Sequence, residues 1–146
     1  MPASDELHYR TISELAPLIE SGELSPVEVT QAQVDRIERL DGALKTYATL
    51  TPELALQQAQ RAEEEIAQGR YRGPLHGIPV AVKDLCDTAG TRTMGGSAVF
   101  TDNVPDHDST VVVKFREAGA VLLGKLNMTE GAMGGYNPAL QVPENP

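Results

Sequence analysis

Two short apolar runs, residues 78–82 and 120–124, constrain the fold of this chain most strongly. Each run predicts a buried strand, and the first, Ile-Pro-Val-Ala-Val, is also rich in β-branched residues. Between them, residues 84–108 are rich in Gly, Thr, Asp and Pro and predict a loop, and residues 110–118 predict a helix. A strand, a long crossover with a helix and a second strand form a βαβ unit, whose strands pair in parallel. The sequence therefore predicts an α/β fold.

The first 72 residues predict helices and one short strand. Thr11 and Glu14, and likewise Ser25 and Glu28, have the spacing of a capping box at a helix start. A third helix is expected to begin at Thr51-Pro52, after a strand candidate at 47–50. The predicted helix ends are the glycines that follow each apolar pattern, namely Gly22, Gly42 and Gly69.

The sequence pattern changes from helical to α/β at Gly73-Pro74. This change divides the chain into a helical segment (1–72) and the first part of an α/β core (73–146). Buried parallel strands normally need helices on both faces of the sheet and neighbouring strands on both sides. A sheet of two or three such strands is too small to meet this need by itself. Its open apolar edges would favour aggregation. We therefore expect the chain to be the N-terminal portion of a larger α/β domain.

Charge and composition exclude several classes of protein. Lys and Arg number 12 against 21 Asp and Glu, giving a net charge of −9 that disfavours partners such as nucleic acid or an anionic membrane. The one cysteine, Cys86, excludes an internal disulfide and a multi-cysteine metal site. The N-terminus lacks the basic and apolar regions of a secretory signal, and no apolar run approaches the roughly 18 residues of a membrane span. A cytoplasmic location is expected.

Lys83 is the principal candidate for chemistry, because it directly follows the predicted strand 78–82. Open α/β sheets place ligands at the C-terminal ends of their parallel strands. A lysine held there can lose solvation and become a neutral amine that accepts a proton. The alternative, which position alone favours, is a lysine that extends past the strand end and pairs with a carboxylate.

Other polar residues give weaker signals. The three histidines are far apart in sequence, without metal-ligand spacing, and surface or loop positions are expected for His8, His76 and His107. Cys86 is a conceivable thiol nucleophile, but an inert thiol is the simpler interpretation. Residues 95–97, Gly-Gly-Ser, could hold an anion or form a flexible turn. We expect no metal site.

Residues 73–84, Gly-Pro-Leu-His-Gly-Ile-Pro-Val-Ala-Val-Lys-Asp, resemble the lysine motif of the amidase signature family. Residues 108–130 resemble the segment that follows this motif, and residues 15–29 resemble the opening pair of helices. Three similar segments in the same order make a chance match implausible. The resemblance implies a mixed, largely parallel sheet covered by helices on both faces.

The resemblance also implies a hydrolase of carboxamides, and in some members of esters or carbamates, that uses a Ser–cis-Ser–Lys triad and no cofactor. Lys83 matches the catalytic lysine, which acts as a base on the nucleophilic serine through a bridging serine. Ala132, Met133 and Gly134 correspond to a stretch that lines the acyl side of the substrate pocket. The Gly/Ser-rich segment carrying both serines follows the Asn137-Pro138 region in the family, and it is absent from these 146 residues.

Three functions remain open at this level. The first is the N-terminal part of an amidase. Its partners would be a small amide substrate and the remainder of the enzyme, which carries both serines either in the same polypeptide or as a separate chain. In that case the isolated chain is expected to be inactive, and the whole enzyme could form a homodimer. The second is a component of a tRNA-dependent amidotransferase, which the acidic charge disfavours. The third is a non-catalytic interaction fragment.

Overall fold

The computed structural model describes residues 7–146, which form four α-helices and three strands together with short 3₁₀ turns. The helices are α1 (Ile12–Glu20), α2 (Pro26–Leu44), α3 (Pro52–Ala67) and α4 (Thr110–Glu117). The strands are β1 (Tyr47–Leu50), β2 (Pro79–Lys83) and β3 (Val121–Leu126). Each predicted strand is confirmed, with β2 shifted by one residue and β3 extended toward its C-terminal end. None of these helices is both long enough and apolar enough to cross a membrane.

The strands form one mixed sheet in the order β1-β3-β2. Strand β1 pairs with β3 in an antiparallel register that sets Leu50 opposite Gly124. Strand β3 pairs with β2 in the same direction, because Val121 N–H donates to Ile78 O at 2.9 Å and Asp84 N–H donates to Leu126 O at 3.0 Å. The predicted α/β fold and the parallel pairing of the two buried strands are therefore confirmed.

The helix starts follow the predicted capping chemistry. At α2, Val27 N–H donates to Ser25 Oγ at 3.0 Å, and Ser25 N–H donates to Glu28 Oε2 at 3.2 Å. At α1, Glu14 Oε2 accepts from Thr11 N–H at 2.7 Å. These bonds satisfy backbone donors that the first helical turn leaves without partners.

One predicted helix end is wrong. Helix α2 does not stop at Gly42 but continues to Leu44. Lys45 N–H still donates to Asp41 O at 2.7 Å, and Lys45 itself, at φ +54°, takes the left-handed conformation that ends the helix. Asp41 Oδ1 accepts from Thr46 N–H at 2.7 Å, which stabilises this turn and removes the need for a glycine.

The residues group into two compact units that interleave along the chain. Among the described residues, the first unit contains residues 7–38, 51–80 and 115–123, and the second contains 39–50, 81–114 and 124–146. These units group residues by their contacts and not by their order along the chain. The division after residue 72 therefore stays a prediction. One cluster of buried apolar side chains in the first unit contains Leu7, Leu15, Ile19, Leu24, Val29, Ala32 and Ile78.

His76 lies in a turn, which is one of the two predicted alternatives, but it lies inside the first unit and not at the surface. Its side chain is only 1% exposed. Nδ1 accepts from Arg72 N–H at 3.2 Å, and Nε2 lies 3.3 Å from Glu65 Oε2. Gly119 packs against the ring so closely that an added Cβ would lie 2.3 Å from the His76 Cδ2 atom. The glycines and prolines around residue 76 indicate a loop. The chain does form a turn here, and residues 76 and 77 of this turn are buried.

The environment of His76 sets the direction in which pH changes stability. Burial lowers the pKa of His76 below 6.5, and the nearby Arg72 charge lowers it further. Burial raises the pKa of Glu65, but the hydrogen bond and the charge of Arg72, with help from Arg61, outweigh this and hold the pKa of Glu65 below its usual value of 4.5. For both groups the unfolded chain therefore binds a proton at a higher pH than the folded chain does.

We expect acidification to destabilise the protein, first through His76 and then through Glu65. A group with a lowered folded-state pKa contributes stability above its unfolded pKa and loses it as the pH falls. The loss should therefore begin near pH 6.5 with His76 and continue below pH 4.5 with Glu65. Urea unfolding at closely spaced pH values measures this free energy. His76→Gln should reduce the loss between pH 7 and 5, whereas His107→Gln, at an exposed ring, should retain it; equal slopes for wild type and His76→Gln would contradict the assignment.

Candidate active site

Lys83 is the last residue of β2, at the C-terminal end of the strand as predicted. Its neighbours Val82 and Asp84 are 5% and 0% exposed, whereas Lys83 is exposed. Successive side chains of a strand point to opposite faces, so Lys83 leaves the interior that receives its two neighbours. The sequence analysis expects Lys83 to lose contact with water. The described residues of this chain do not cover its side chain, so they do not exclude water from it.

The backbone that carries Lys83 is fixed on its C-terminal side by Asp84. Asp84 N–H donates to Leu126 O of β3 at 3.0 Å, and Asp84 O accepts from Gly95 N–H at 3.1 Å. Asp84 Oδ2 accepts from Met94 N–H at 3.0 Å. Lys83 O also accepts from Cys86 N–H at 2.9 Å, which closes a turn after the strand. The backbone position of Lys83 is therefore fixed by hydrogen bonds to β3, to residues 94–95 and within the turn that follows the strand.

A second lysine, Lys125 of β3, faces Asp84 in the interior. Both side chains are 0% exposed, and Lys125 Nζ lies 3.5 Å from Asp84 Oδ1. The hydrogen bond of the ammonium group is to Thr93 Oγ1, which accepts from Nζ at 2.5 Å. Burial raises the pKa of Asp84 and lowers the pKa of Lys125, while the attraction between the two charges opposes both shifts. The two residues thus form a fully buried ion pair next to the candidate base.

Sequence reasoning did not identify this pair. The apolar run 120–124 predicts a strand that ends before Lys125, and Lys125 lies within β3 instead. The available signal was a lysine beside a run of apolar residues together with an aspartate directly after the other strand. A buried lysine needs a carboxylate partner, so these two residues could have been paired once parallel strands were predicted.

The loop 95–97 packs against the segment that follows β3, so it is a docked turn and not a flexible one. An added Cβ at Gly96 would lie 2.7 Å from Met128 O and 2.8 Å from Thr129 O, a distance that only glycine permits. Ser97 Oγ donates to Glu130 Oε1 at 2.6 Å. The Ser97 hydroxyl is therefore hydrogen-bonded to a carboxylate of this same chain.

The predicted substrate-binding residues Ala132, Met133 and Gly134 are all exposed, and Met133 is 95% exposed. They follow Gly131, whose N–H donates to Gly95 O at 2.8 Å. Because Gly95 N–H in turn donates to Asp84 O, two backbone hydrogen bonds connect this loop with the residue next to Lys83. Their role in substrate binding stays a prediction.

The weaker candidates do not assemble into a second site within residues 7–146. Cys86 is partly buried, and no histidine contact to it is found there. His107 is exposed beside Asp106 and Asp87, with ring nitrogens 3.0 Å and 3.5 Å from their carboxylates. Among the described residues, no group of three or more His, Cys, Asp or Glu side chains has the arrangement needed to hold a metal ion.

Comparison with known proteins supplies the family. The family profile described as Amidase matches residues 28–146. A putative amidase AmiD of Mycobacterium tuberculosis is 49% identical over 142 residues, which cover 97% of this chain and 30% of the relative. A glutamyl-tRNA(Gln) amidotransferase subunit of Methylococcus capsulatus is 52% identical over 131 residues, which cover 90% of this chain and 27% of that protein.

Solved structures agree with this assignment. A native peptide amidase from Stenotrophomonas maltophilia has a TM-score of 0.76 and 39% identity, with 82% of this chain and 25% of that chain covered. A fatty acid amide hydrolase has a TM-score of 0.91 and 26% identity, with 100% of this chain and 26% of that chain covered. The chain spans about 30% of the length of the curated relatives that it matches. The resemblance found in residues 73–84 is therefore confirmed. The chain belongs to the amidase signature family and corresponds to the N-terminal part of its full-length members.

Proposed function

We propose that this chain is the N-terminal part of a serine amidohydrolase and that it supplies Lys83 as the base of a Ser–cis-Ser–Lys triad. The observation that carries the proposal is the placement of Lys83, exposed at the C-terminal end of β2 between two buried neighbours. The family membership supports the same assignment, because the lysine motif occupies residues 73–84.

The chemistry follows from what a lysine amine can do next to hydroxyl groups. In its neutral form the amine takes a proton from a bridging serine, which takes one from the nucleophilic serine as the latter attacks the amide carbonyl. The nitrogen of the substrate then receives a proton and leaves as ammonia or an amine. The acyl-enzyme ester is hydrolysed by water with the same base. No step requires a metal or an organic cofactor.

The two serines would come from residues outside this sequence, either further along the same polypeptide or on a separate chain. Two hydroxyl candidates within the chain lack support for this role. Ser97 Oγ donates to Glu130 Oε1, and Ser109 belongs to the start of α4, where its backbone N–H donates to Asp87 O at 2.8 Å. Neither residue lies in the Gly/Ser-rich motif of the family.

The exposed surface of the second unit supports the need for further residues. Lys83 is exposed there, although a neutral lysine base requires a dehydrated environment. Several large apolar side chains of the same unit are also exposed, with values of 53% to 95% for Leu85, Val99, Phe100, Val104 and Met133. Such surface is unfavourable in water and is commonly covered by another part of a protein or by a partner.

The experiment that tests the proposal compares this chain with the complete enzyme that contains it. Release of ammonia from simple primary amides such as acetamide, propionamide and benzamide should be seen with the complete enzyme and not with residues 1–146 alone. A serine-directed fluorophosphonate should label a serine outside these residues. Turnover by the isolated chain that Lys83→Ala abolishes would contradict the assignment of both serines to other residues.

A component of a tRNA-dependent amidotransferase is the second candidate, supported by the 52% identity to the Methylococcus capsulatus protein. In that case glutamine would be the ammonia donor, and its hydrolysis would depend on partner proteins. Glutamine hydrolysis that rises when those partners and misacylated tRNA are added would favour this function. Robust hydrolysis of simple amides without any partner would favour the amidase. An absence of both activities in the complete protein would favour a non-catalytic fragment.

A further inference from the structure

The buried ion pair of Asp84 and Lys125 is not explained by the proposed triad, because neither side chain reaches the surface. Both are 0% exposed, whereas Lys83 beside them is exposed. We propose that Asp84 and Lys125 are positioning residues that hold the end of β2, and with it Lys83, in the geometry needed for proton transfer. This inference rests on the proposed function, and it extends that function to two residues that do not touch the substrate.

The contacts of Asp84 join the end of β2 to two other segments, β3 and residues 94–95. Its backbone is bound to Leu126 and Gly95, and its side chain is bound to Met94. Lys125 adds a connection from the C-terminal end of β3, and its ammonium group lies 3.5 Å from Asp84 Oδ1. Because Lys83 precedes Asp84 directly, any rotation of the Asp84 backbone changes the direction of the Lys83 side chain.

Thr93 completes the arrangement. Its hydroxyl oxygen accepts from Lys125 Nζ at 2.5 Å, and Thr93 itself is only 5% exposed. Thr93 and Met94 are neighbours, so Lys125 and Asp84 hold the same loop from two sides, through a hydroxyl and through a backbone amide. The loop 95–97 follows at once, and it is connected to the segment 130–131 by the bonds described above.

Stability alone is a weak reason for such a pair. Removing two charges from water is costly, and replacing a buried ion pair by apolar residues of similar volume is often neutral or stabilising. What a buried ion pair adds is a constraint, since separating the two groups would leave an unpaired charge away from water. Misplacement of a catalytic group by about 1 Å can reduce a rate on the order of 100-fold. A geometric role therefore accounts for the pair better than an energetic one.

The test uses the complete enzyme and the simple amide that it hydrolyses best. The double variant Asp84→Asn/Lys125→Met removes both charges and keeps the side-chain volumes and the acceptor for Met94 N–H. We expect it to fold and to show kcat lowered by at least tenfold, on the order of 100-fold, with KM changed by less than about threefold. A purely structural role would lower thermal stability and leave kcat of the folded enzyme unchanged.

The matched control is the ion pair of the first unit, in which Arg72 donates to Glu65 Oε2 at 2.5 Å. Glu65→Gln/Arg72→Met should lower the unfolding temperature and leave kcat within about twofold of wild type. If the Asp84/Lys125 double variant is folded and keeps kcat within about twofold, or if the control loses kcat equally, the inference is overturned. If the double variant does not fold, Thr93→Val decides, because it leaves both charges in place and removes the hydroxyl that accepts from Lys125 and donates to Thr91 O. A folded Thr93→Val enzyme with unchanged kcat also overturns the inference.

Lys83→Ala separates failure of this inference from failure of the proposed function. If Lys83→Ala is inactive and the pair variants are fully active, Lys83 is the base and the pair does not position it. If Lys83→Ala is active, the proposed triad is wrong, and the positioning role is wrong with it.

Discussion

Lys83→Ala in the complete enzyme is expected to lower kcat for amide hydrolysis by roughly 10³- to 10⁴-fold, because the nucleophilic serine loses the base that accepts its proton. The fold should persist, since the Lys83 side chain is exposed and its removal leaves no buried group without a partner. KM should change little if the amine acts mainly in the transition state. Steady-state kinetics with ammonia release, together with a circular-dichroism melt, measures both effects.

Two further lysine variants separate a base from a mere positive charge. Lys83→Arg retains the charge but cannot supply a neutral amine, because a guanidinium group stays protonated. It should be as inactive as Lys83→Ala. Lys114→Ala removes an exposed lysine from α4 of the same unit and should retain full activity. Near-normal turnover by Lys83→Ala or Lys83→Arg would show that Lys83 is not the base.

Gly124→Ala is expected to be the most damaging single-methyl substitution for the fold. Gly124 lies in β3 at φ +152°, and an added Cβ would lie 2.4 Å from Thr49 O and 3.1 Å from Leu50 Cα. These atoms belong to the backbone of the paired strand β1, so no side chain can move aside to make room. We expect a loss of about 3 kcal/mol or more in the free energy of unfolding, and a fall of roughly 10 °C in Tm.

Gly42→Ala provides the matched control. Gly42 lies within α2, and an added Cβ there would meet nothing within 4 Å. Because alanine favours a helix over glycine, this variant should gain about 0.5–1 kcal/mol. Urea unfolding of both variants tests the contrast. A Gly124→Ala protein with wild-type stability would show that β1 and β3 are not packed as closely as the structure has them.

The sequence alone was sufficient for features that depend on neighbouring residues. The capping box of Ser25 and Glu28 lies within one helical turn, so its hydrogen bonds could be predicted from spacing. The strands β2 and β3 were predictable from apolar runs, and their parallel pairing followed from the long helical connection between them. The end of α2 was predicted wrongly, because the Asp41 cap replaced the glycine that usually serves there.

Lys83 became the candidate base on two observations from the sequence, of which position alone favoured a lysine that pairs with a carboxylate, and its role stays a prediction. Its position after an apolar strand indicated a ligand-binding edge of a sheet, and the motif at residues 73–84 indicated the amidase signature family. Neither route revealed whether Lys83 is covered, because burial of a side chain depends on residues that are distant in sequence. In this chain Lys83 is exposed.

The sequence by itself determined the family, the order of helices and strands, and the strand end that carries Lys83, because these features depend on local sequence patterns and on a long specific motif. Only the tertiary structure decided which polar residues are inside. It brought Lys125 and Asp84 into a fully buried pair, enclosed His76 beneath Gly119, and engaged Ser97 with Glu130. The physical reason is that desolvation and charge pairing depend on which segments meet, and that is settled by packing of the whole chain and not by the spacing of residues along it.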